Sequence, residues 1–350
     1  MTMTIEDLIR RADPIDRFGA PPIDAGSSRR RLDQILATPV TVAKTWRPRV
    51  IAVGLVAALA LALLVLQILP SPVGRPSPAA AALDHLSRVA AKMPRTETPG
   101  PGQYLYAKSV AVNSIEYVDL VKYPFTVNYY EQRQDWVNLN GAGRFVETWS
   151  NPTFPATHDR SNWLSSGSPS LNQATVAQSL TPGAKSPAPI DLWTLPTNAA
   201  ELARMVSSRS IEGGPPGALE DFTQVGDLLR ETIAPPALRV ALFKVASNIS
   251  GVLLIGPTTD HLGRRGIGLA IAQTPSDPAQ GSAGLLEFIF DPTTSALLSE
   301  QTLAGSQPAE LSANGTALLT GFVVTSWTSY ETSSVVDSTT AVAPTHASGH

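Results

Sequence analysis

The chain of 350 residues contains no cysteine. This absence excludes disulfide bonds, thiol nucleophiles, iron–sulfur clusters and cysteine-ligated zinc. Charged residues make up only 16% of the chain and the net charge is −3, so the sequence lacks the basic footprint of a nucleic-acid-binding protein. Its five histidines include no pair at the spacing with which a helix binds zinc. The sequence therefore predicts no metal site, no cofactor and no nucleic-acid partner.

Catalytic motifs are missing as well. The chain has no G-x-S-x-G nucleophile elbow, no P-loop, and no G-x-G-x-x-G between a strand and a helix, and these motifs mark the common hydrolase and nucleotide sites. Acid–histidine neighbours such as His158-Asp159 and Asp260-His261 occur, and a Ser-His-Asp site could use one of them. We therefore predict that the protein is not an enzyme, and an extracytoplasmic hydrolase stays a third hypothesis.

One long apolar run is present. Residues 50–69 read VIAVGLVAALALALLVLQIL, which is 20 residues without a charge. A helix of this length spans about 30 Å, the thickness of a bilayer hydrocarbon core. Pro48 and Pro70 bracket the run, and proline is tolerated at the start of a helix and stops it after the end. The run predicts a single transmembrane helix.

The flanks of this run predict its orientation. Residues 30–49 contain five basic side chains and residues 70–89 contain two, so the N terminus is expected in the cytoplasm and the rest of the chain outside the cell membrane. A cleaved signal peptide is the alternative. However, 49 residues precede the run, whereas signal peptides have a short basic region and an apolar core of about 7 to 15 residues.

The predicted cytoplasmic tail, residues 1–49, has too few apolar residues for a core of its own. Leu32, Ile35 and Leu36 follow Ser27 and Ser28 at the spacing of a short amphipathic helix with a serine cap. One interpretation is a solvated tail. The other is that these three residues contact a cytoplasmic partner and that the tail folds on binding it.

Beyond the span, the sequence predicts an α+β domain over residues 79–336, joined by a proline-rich spacer at 70–78 and followed by a disordered tail at 337–350. Helical periodicity marks residues 79–93 and 198–251. The second range begins with Asn198 as a predicted helix cap and includes a helical hairpin. Alternating strand patterns begin at Tyr104, and a meander of strands fills the last third. Residues 150–196 are predicted to be a long loop in which Trp163 and Trp193 attach to the core.

Aromatic side chains are concentrated in the first strands. Pro124, within the second strand pattern, predicts an edge strand, and Asn140-Gly141 predicts a hairpin. The aromatic residues either pack as core or line an apolar groove for a lipid, peptide or polyketide-like molecule. The candidate groove residues are Tyr104, Tyr106, Tyr123, Phe125, Tyr129, Trp136 and Trp149.

Several segments together resemble a known family of actinobacterial single-pass membrane proteins with an extracytoplasmic domain, many of which look like partners of extracytoplasmic-function sigma factors. The resemblance covers residues 5–17, 27–112 and 191–330. It is carried by RRADPIDRF, RRRLDQIL, GQYLYAKS, LPTNAAELARMV, DLLRETIAPPALRVALFKVASNISGV, DHLGRRGIGLAI and LEFIFDPTTSALLSEQTL.

This resemblance implies an outside domain similar to the half-barrel of lipoprotein carriers and envelope-stress sensors, which hold an acyl chain. The chain departs from the zinc-binding anti-sigma factors, whose His and Cys ligands have no counterpart here. The favoured hypothesis is thus a membrane-anchored extracytoplasmic sensor or binding protein that regulates a cytoplasmic sigma factor through its tail. The alternative is a structural, envelope-assembly or lipid-binding protein without signalling.

Overall fold

The computed structural model describes residues 76–118, 122–171, 173–181, 191–208, 217–230, 233–273, 283–305 and 309–342. The predicted tail with Leu32, Ile35 and Leu36, the predicted span at 50–69 and the spacer up to residue 75 lie outside these ranges. Within them, no helix has the length and apolarity that crossing a bilayer requires.

The described residues form an α+β fold, as the sequence predicts, with five helices and a large antiparallel sheet among them. The elements in chain order are α1 (Pro78–Ala90), β1 (Tyr104–Tyr117), β2 (Phe125–Val137), β3 (Gly143–Thr153), α2 (Thr157–Ser165), β4 (Ala174–Leu180), α3 (Ala199–Ser208), α4 (Ala218–Leu229), α5 (Pro236–Ala246), β5 (Leu253–Thr259), β6 (Arg265–Gln273), β7 (Ala283–Phe290), β8 (Leu297–Gly305), β9 (Glu310–Leu311), β10 (Ala317–Leu318) and β11 (Phe322–Val336).

Nine strands form the main sheet, in the order β4-β3-β2-β1-β11-β8-β7-β6-β5. The predicted hairpin at Asn140-Gly141 joins β2 to β3, and Gly141 adopts a positive φ of 86°, a conformation that glycine reaches without a steric penalty. The predicted meander is β5 to β8 followed by β11. The pairing of β1 with β11, which lie far apart in the sequence, joins the two halves of the sheet.

A row of directly opposite residues crosses seven strands and defines one face of the sheet, which we call the helix side. Directly opposite residues in an antiparallel sheet point to the same face. From β6 to β3 the row consists of Leu269, Phe288, Glu300, Thr328, Ala111, Glu131 and Trp149. Both ends of the row are apolar, whereas its middle is polar or small.

Helices cover the two apolar ends of this row. At one end α1, α3, α4 and α5 enclose the main core, where Phe222 of α4 stacks on Phe288 with ring centroids 4.7 Å apart. Full burial of a phenylalanine side chain stabilises a fold by about 1.5–3 kcal/mol. At the other end, Trp163 of α2 packs into a second cluster with Tyr129 and Trp149. The middle of the helix side lies between these two groups of helices.

The long loop predicted at 150–196 is wrong in part, because α2 and β4 lie inside it. Helix α2 shows little apolar periodicity, and its first turn is fixed by a carboxylate instead. Asp159 accepts hydrogen bonds from the backbone nitrogens of Ala156 and Thr126, at 3.0 and 2.8 Å. Trp163 and Trp193 do attach their segments to core clusters.

The edge-strand prediction for the segment at Pro124 is also wrong, because β2 lies between β1 and β3. Pro124 precedes the strand, so its missing N–H removes no bond from the sheet, and its carbonyl accepts from Asn162 at 2.7 Å. At the C terminus, residues 337–342, predicted as the start of a disordered tail, make contacts. The indole of Trp136 donates to the carbonyl of Ala341 at 2.6 Å.

Candidate functional site

A cleft of about 370 Å³ opens on the helix side, between α4 and the middle of the sheet. It lies where the central row changes from apolar to polar, at Glu300 and Thr328. Nine of its twelve lining residues are polar. The lining consists of Asn113, Leu219, Thr223, Arg230, Gln273, Leu286, Glu300, Gln301, Thr302, Ser326, Trp327 and Thr328.

Arg230 follows the last residue of α4 and links that helix to the sheet. Its guanidinium lies 2.6 Å from Glu300 Oε2 on β8 and 2.9 Å from Asp227 Oδ1 on α4. Burial raises the pKa of Asp227, and the nearby Arg230 opposes this effect. The arginine therefore holds two carboxylates at one wall of the cleft.

Asn113 forms the opposite wall and connects the cleft to further carboxylates. Its side-chain nitrogen donates to Glu131 Oε2 at 2.6 Å. Burial raises the pKa of Glu131, as does the neighbouring carboxylate of Glu147, whereas Arg133 and the bond from Asn113 lower it. Arg133 forms a two-pronged hydrogen bond with Asp135, at 2.8 and 3.1 Å. Within the described part of the chain, the lining itself carries one acidic side chain, Glu300, and one basic side chain, Arg230, and further carboxylates lie behind it.

Most of the described residues that line the cleft carry hydrogen-bonding groups. Of the histidines in the described ranges, none lines it. His158 lies on α2, and its neighbour Asp159 caps that helix, while His261 lies in the turn between β5 and β6. No group of three or more His, Asp or Glu side chains that could hold a metal ion is found in the described part of the chain.

The opposite face of the sheet, the far side, carries a chain of polar groups that runs from a buried carboxylate to an exposed histidine. Glu287 is fully buried, and its Oε2 accepts from the amide of Gln301 at 2.7 Å. His261 Nε2 lies 3.1 Å from Gln301 Oε1, and its ring stacks on Trp327 at 4.2 Å. Burial raises the pKa of Glu287 and lowers that of His261, with Gln301 opposing both shifts. Burial therefore disfavours the charged form of each group.

The turn between β5 and β6, residues 260–264, contacts this far-side network through His261. Arg264 lies 2.5 Å from Asp260 Oδ2 and donates to the carbonyls of Tyr330 and Leu298 at 2.7 and 2.8 Å. All these acceptors are within the protein, so Arg264 holds the turn on the sheet. Gly268 permits the close approach, because a Cβ there would lie 2.2 Å from Glu287 Oε1.

The seven aromatic residues predicted as one groove lie in separate places. Tyr106 and Trp136 are opposite one another on the far side, with ring centroids 5.1 Å apart and Tyr104 packed beside them. The helix-side group is Phe125, Tyr129 and Trp149, which are core residues beneath α2. Tyr123 is 40% exposed ahead of β2. The described structure does not join them into a single surface.

Sequence reasoning missed Arg230, Glu300, Thr328 and Asn113 as site residues. A weak signal was present for Glu300, because it is the one charged residue of β8. The other three show no local pattern. They meet because β1 pairs with β11 and because Arg230, after the end of α4, contacts Glu300 on β8.

Comparisons with known proteins add little. No protein-family model matches the chain, and no curated protein matches it. A solved crystal structure of a DUF1329 family protein from Desulfovibrio piger is 9% identical, with a TM-score of 0.16, over 73% of this chain and 92% of that one. A TM-score of that size carries no argument about fold or function.

Proposed function

We propose that the folded region is a non-catalytic binding domain that takes a small polar molecule, neutral or positively charged, in the cleft beside Glu300. The cleft itself carries this proposal. Its volume of about 370 Å³ falls in the range of small-molecule sites, about 300–1,000 Å³. The fold alone does not imply a function, so the chemistry of the lining decides the ligand class.

The polarity of the lining supports a polar ligand over a lipid. An acyl chain offers no hydrogen bonds, and burying polar side chains against it without partners costs free energy. With nine polar residues of twelve, this cleft differs from the apolar half-barrel that the family resemblance implies. Leu219, Leu286 and Trp327 supply the apolar part of the lining, so a ligand that combines hydrogen-bonding groups with a small apolar face fits it.

The charge balance supports a neutral or cationic ligand. Glu300 and Asp227 face a single arginine, Arg230, and Glu131 lies behind Asn113. An anionic ligand would add a further negative charge to this group, and like charges at short range repel. A ligand rich in hydrogen-bond donors would satisfy the carboxylates.

A thermal-shift screen on the full-length protein in detergent tests this proposal. The library contains matched cationic, neutral and anionic molecules, for example glucosamine, glucose and glucuronate, together with decanoate as a lipid probe. We expect cationic or neutral molecules to raise the melting temperature and the binding to weaken in Glu300→Gln. Glu310→Gln, an exposed carboxylate on β9, is the control. Stabilisation by decanoate alone, or equal binding by both variants, would contradict the proposal.

We further propose that this domain lies outside the cell membrane, anchored by residues 50–69, and that residues 1–49 transmit its state to a cytoplasmic partner such as a sigma factor. Ligand binding can act on such a partner only if the two states of the protein differ in affinity for it. A pull-down with residues 1–49 tests this, with polar replacements at Leu32, Ile35 and Leu36 as control. Equal recovery by both baits would favour the structural alternative.

A further inference from the structure

The two edges of the nine-stranded sheet differ in how they are protected. Strand β5 carries Pro257 and a register shift next to Gly256. A bridge from Leu254 to Thr316 places the β9–β10 hairpin against it. Proline, an irregular register and a covering hairpin are the features with which natural proteins prevent a sheet edge from pairing further. This edge is therefore closed to another strand.

Strand β4, at the opposite edge, has none of these features. Its sequence ATVAQSL contains no charge, no proline and no glycine, and its pairing with β3 shows no register shift. Six of its seven residues are exposed, including Val176 at 44%. Among the residues that the structure describes, β4 pairs on one side only. No described strand pairs with its outer row of backbone N–H and C=O groups.

The residue pattern of β4 is nearly symmetric about Ala177. Apolar Ala174 and Leu180 stand at the ends, and the hydroxyl residues Thr175 and Ser179 are the next pair inward. In an antiparallel pair of two such strands centred on Ala177, the apolar ends face each other, the hydroxyls face each other, Val176 faces Gln178, and no like charges meet. A strand with this pattern can pair with a second copy of itself without opposing charges, and self-pairing is what a two-fold interface requires.

We infer that β4 is a dimerisation edge, at which β4 of a second copy adds antiparallel and extends the sheet across a two-fold axis. Pairing centred on Ala177 engages all seven residues of each strand. The helix sides of both copies then lie on the same face, so both clefts open in one direction. This inference is independent of the ligand proposed for the cleft.

Cysteine cross-linking of the full-length protein in detergent tests the edge. The chain has no cysteine, so Ala177→Cys introduces a single thiol. Directly opposite residues in an antiparallel pair have Cα atoms about 4.5–5.5 Å apart, within the range of a disulfide. Thr259→Cys, on the exposed part of β5, is the matched control. We expect Ala177→Cys to cross-link at least about tenfold faster, because only its thiols face each other.

The dimer mass is measured in parallel by light scattering. Val176→Lys places a charge on the exposed edge without removing a buried group, so the fold should tolerate it. It should raise the dimer dissociation constant by about tenfold, since each copy brings a lysine into the pairing. Equal cross-linking of the two cysteine variants, a monomer at all concentrations, or a dimer unaffected by Val176→Lys would each overturn the inference.

Discussion

Gly226 of α4 is the position at which a single methyl group is expected to damage the core. A Cβ at Gly226 would lie 2.2, 2.7 and 3.0 Å from three ring carbons of Phe288, whereas carbon atoms in contact stay about 3.5–4.0 Å apart. The ring cannot retreat, since Phe288 is fully buried between Phe222 and Phe290. The helix or the ring must therefore shift.

Three effects determine the expected change in the free energy of unfolding, two of them unfavourable and one favourable. Overpacking a tight core costs about 1–3 kcal/mol, and disturbing the stack of Phe222 on Phe288 costs about 0.5–1.5 kcal/mol. Alanine in a helix interior is better than glycine by about 1 kcal/mol. We therefore expect Gly226→Ala to lower the free energy of unfolding by about 1–3 kcal/mol.

Denaturant unfolding of the full-length protein in detergent, followed by tryptophan fluorescence, measures this change. The matched test is a double-mutant cycle with Phe288→Leu, which removes the ring that the methyl group meets. The cost of Gly226→Ala should disappear in the Phe288→Leu background, giving a coupling of about 1–3 kcal/mol. A neutral or stabilising Gly226→Ala, or additive single effects, would refute this account of the packing.

Three further predictions concern the far side. Burial raises the pKa of Glu287 above its ordinary 4.5, so the folded protein keeps a proton that the unfolded chain releases. Its stability should fall as pH rises from about 4.5 to the folded pKa, by at most about 1.4 kcal/mol per unit, and Glu287→Gln should lose that fall in unfolding curves. Arg264→Ala removes the cation that pairs with the buried Asp260 and should lower the free energy of unfolding by about 3–5 kcal/mol. Arg265→Ala, at an exposed position, should change it by less than about 0.5 kcal/mol. Equal effects of the two substitutions would contradict the assigned contacts. Trp136→Phe removes the indole N–H that donates to the carbonyl of Ala341. It should lower the free energy of unfolding by about 1 kcal/mol and speed proteolysis after residue 337. An unchanged digestion pattern would argue against that contact.

Local patterns predicted much of the fold. Asn198 accepts from the backbone nitrogens of Ala200 and Glu201 at 3.0 and 3.1 Å, as its capping sequence predicts. The alternation of Phe288 and Phe290 against Glu287 is likewise present in β7. Both signals depend on residues within four positions of each other, so they do not depend on how distant segments pair.

The predicted groove failed for a reason that the sequence contained. Trp136 follows Phe125 and Tyr129 at odd offsets along one uninterrupted strand. Side chains alternate between faces along a strand, so Trp136 must point to the side opposite the other two. The polar residues 131–135 interrupt the aromatic pattern, so the alternation was not carried across them. Strand length, rather than residue type, was the missing quantity.

The cleft could not be predicted because it depends on pairing between distant segments. Thr328 lies beside Glu300 through β8 and beside Ala111 through β1, and only the second pairing brings Asn113 to the site. The same row of paired residues contains some positions that stabilise the core and others that line the cleft. The apolar ends of the central row, at Phe288 and Trp149, pack beneath helices, whereas its polar middle stays open to a ligand. Substitutions at Glu300 should therefore act mainly on binding, and those at Phe288 mainly on folding, which the two sets of variants measure independently.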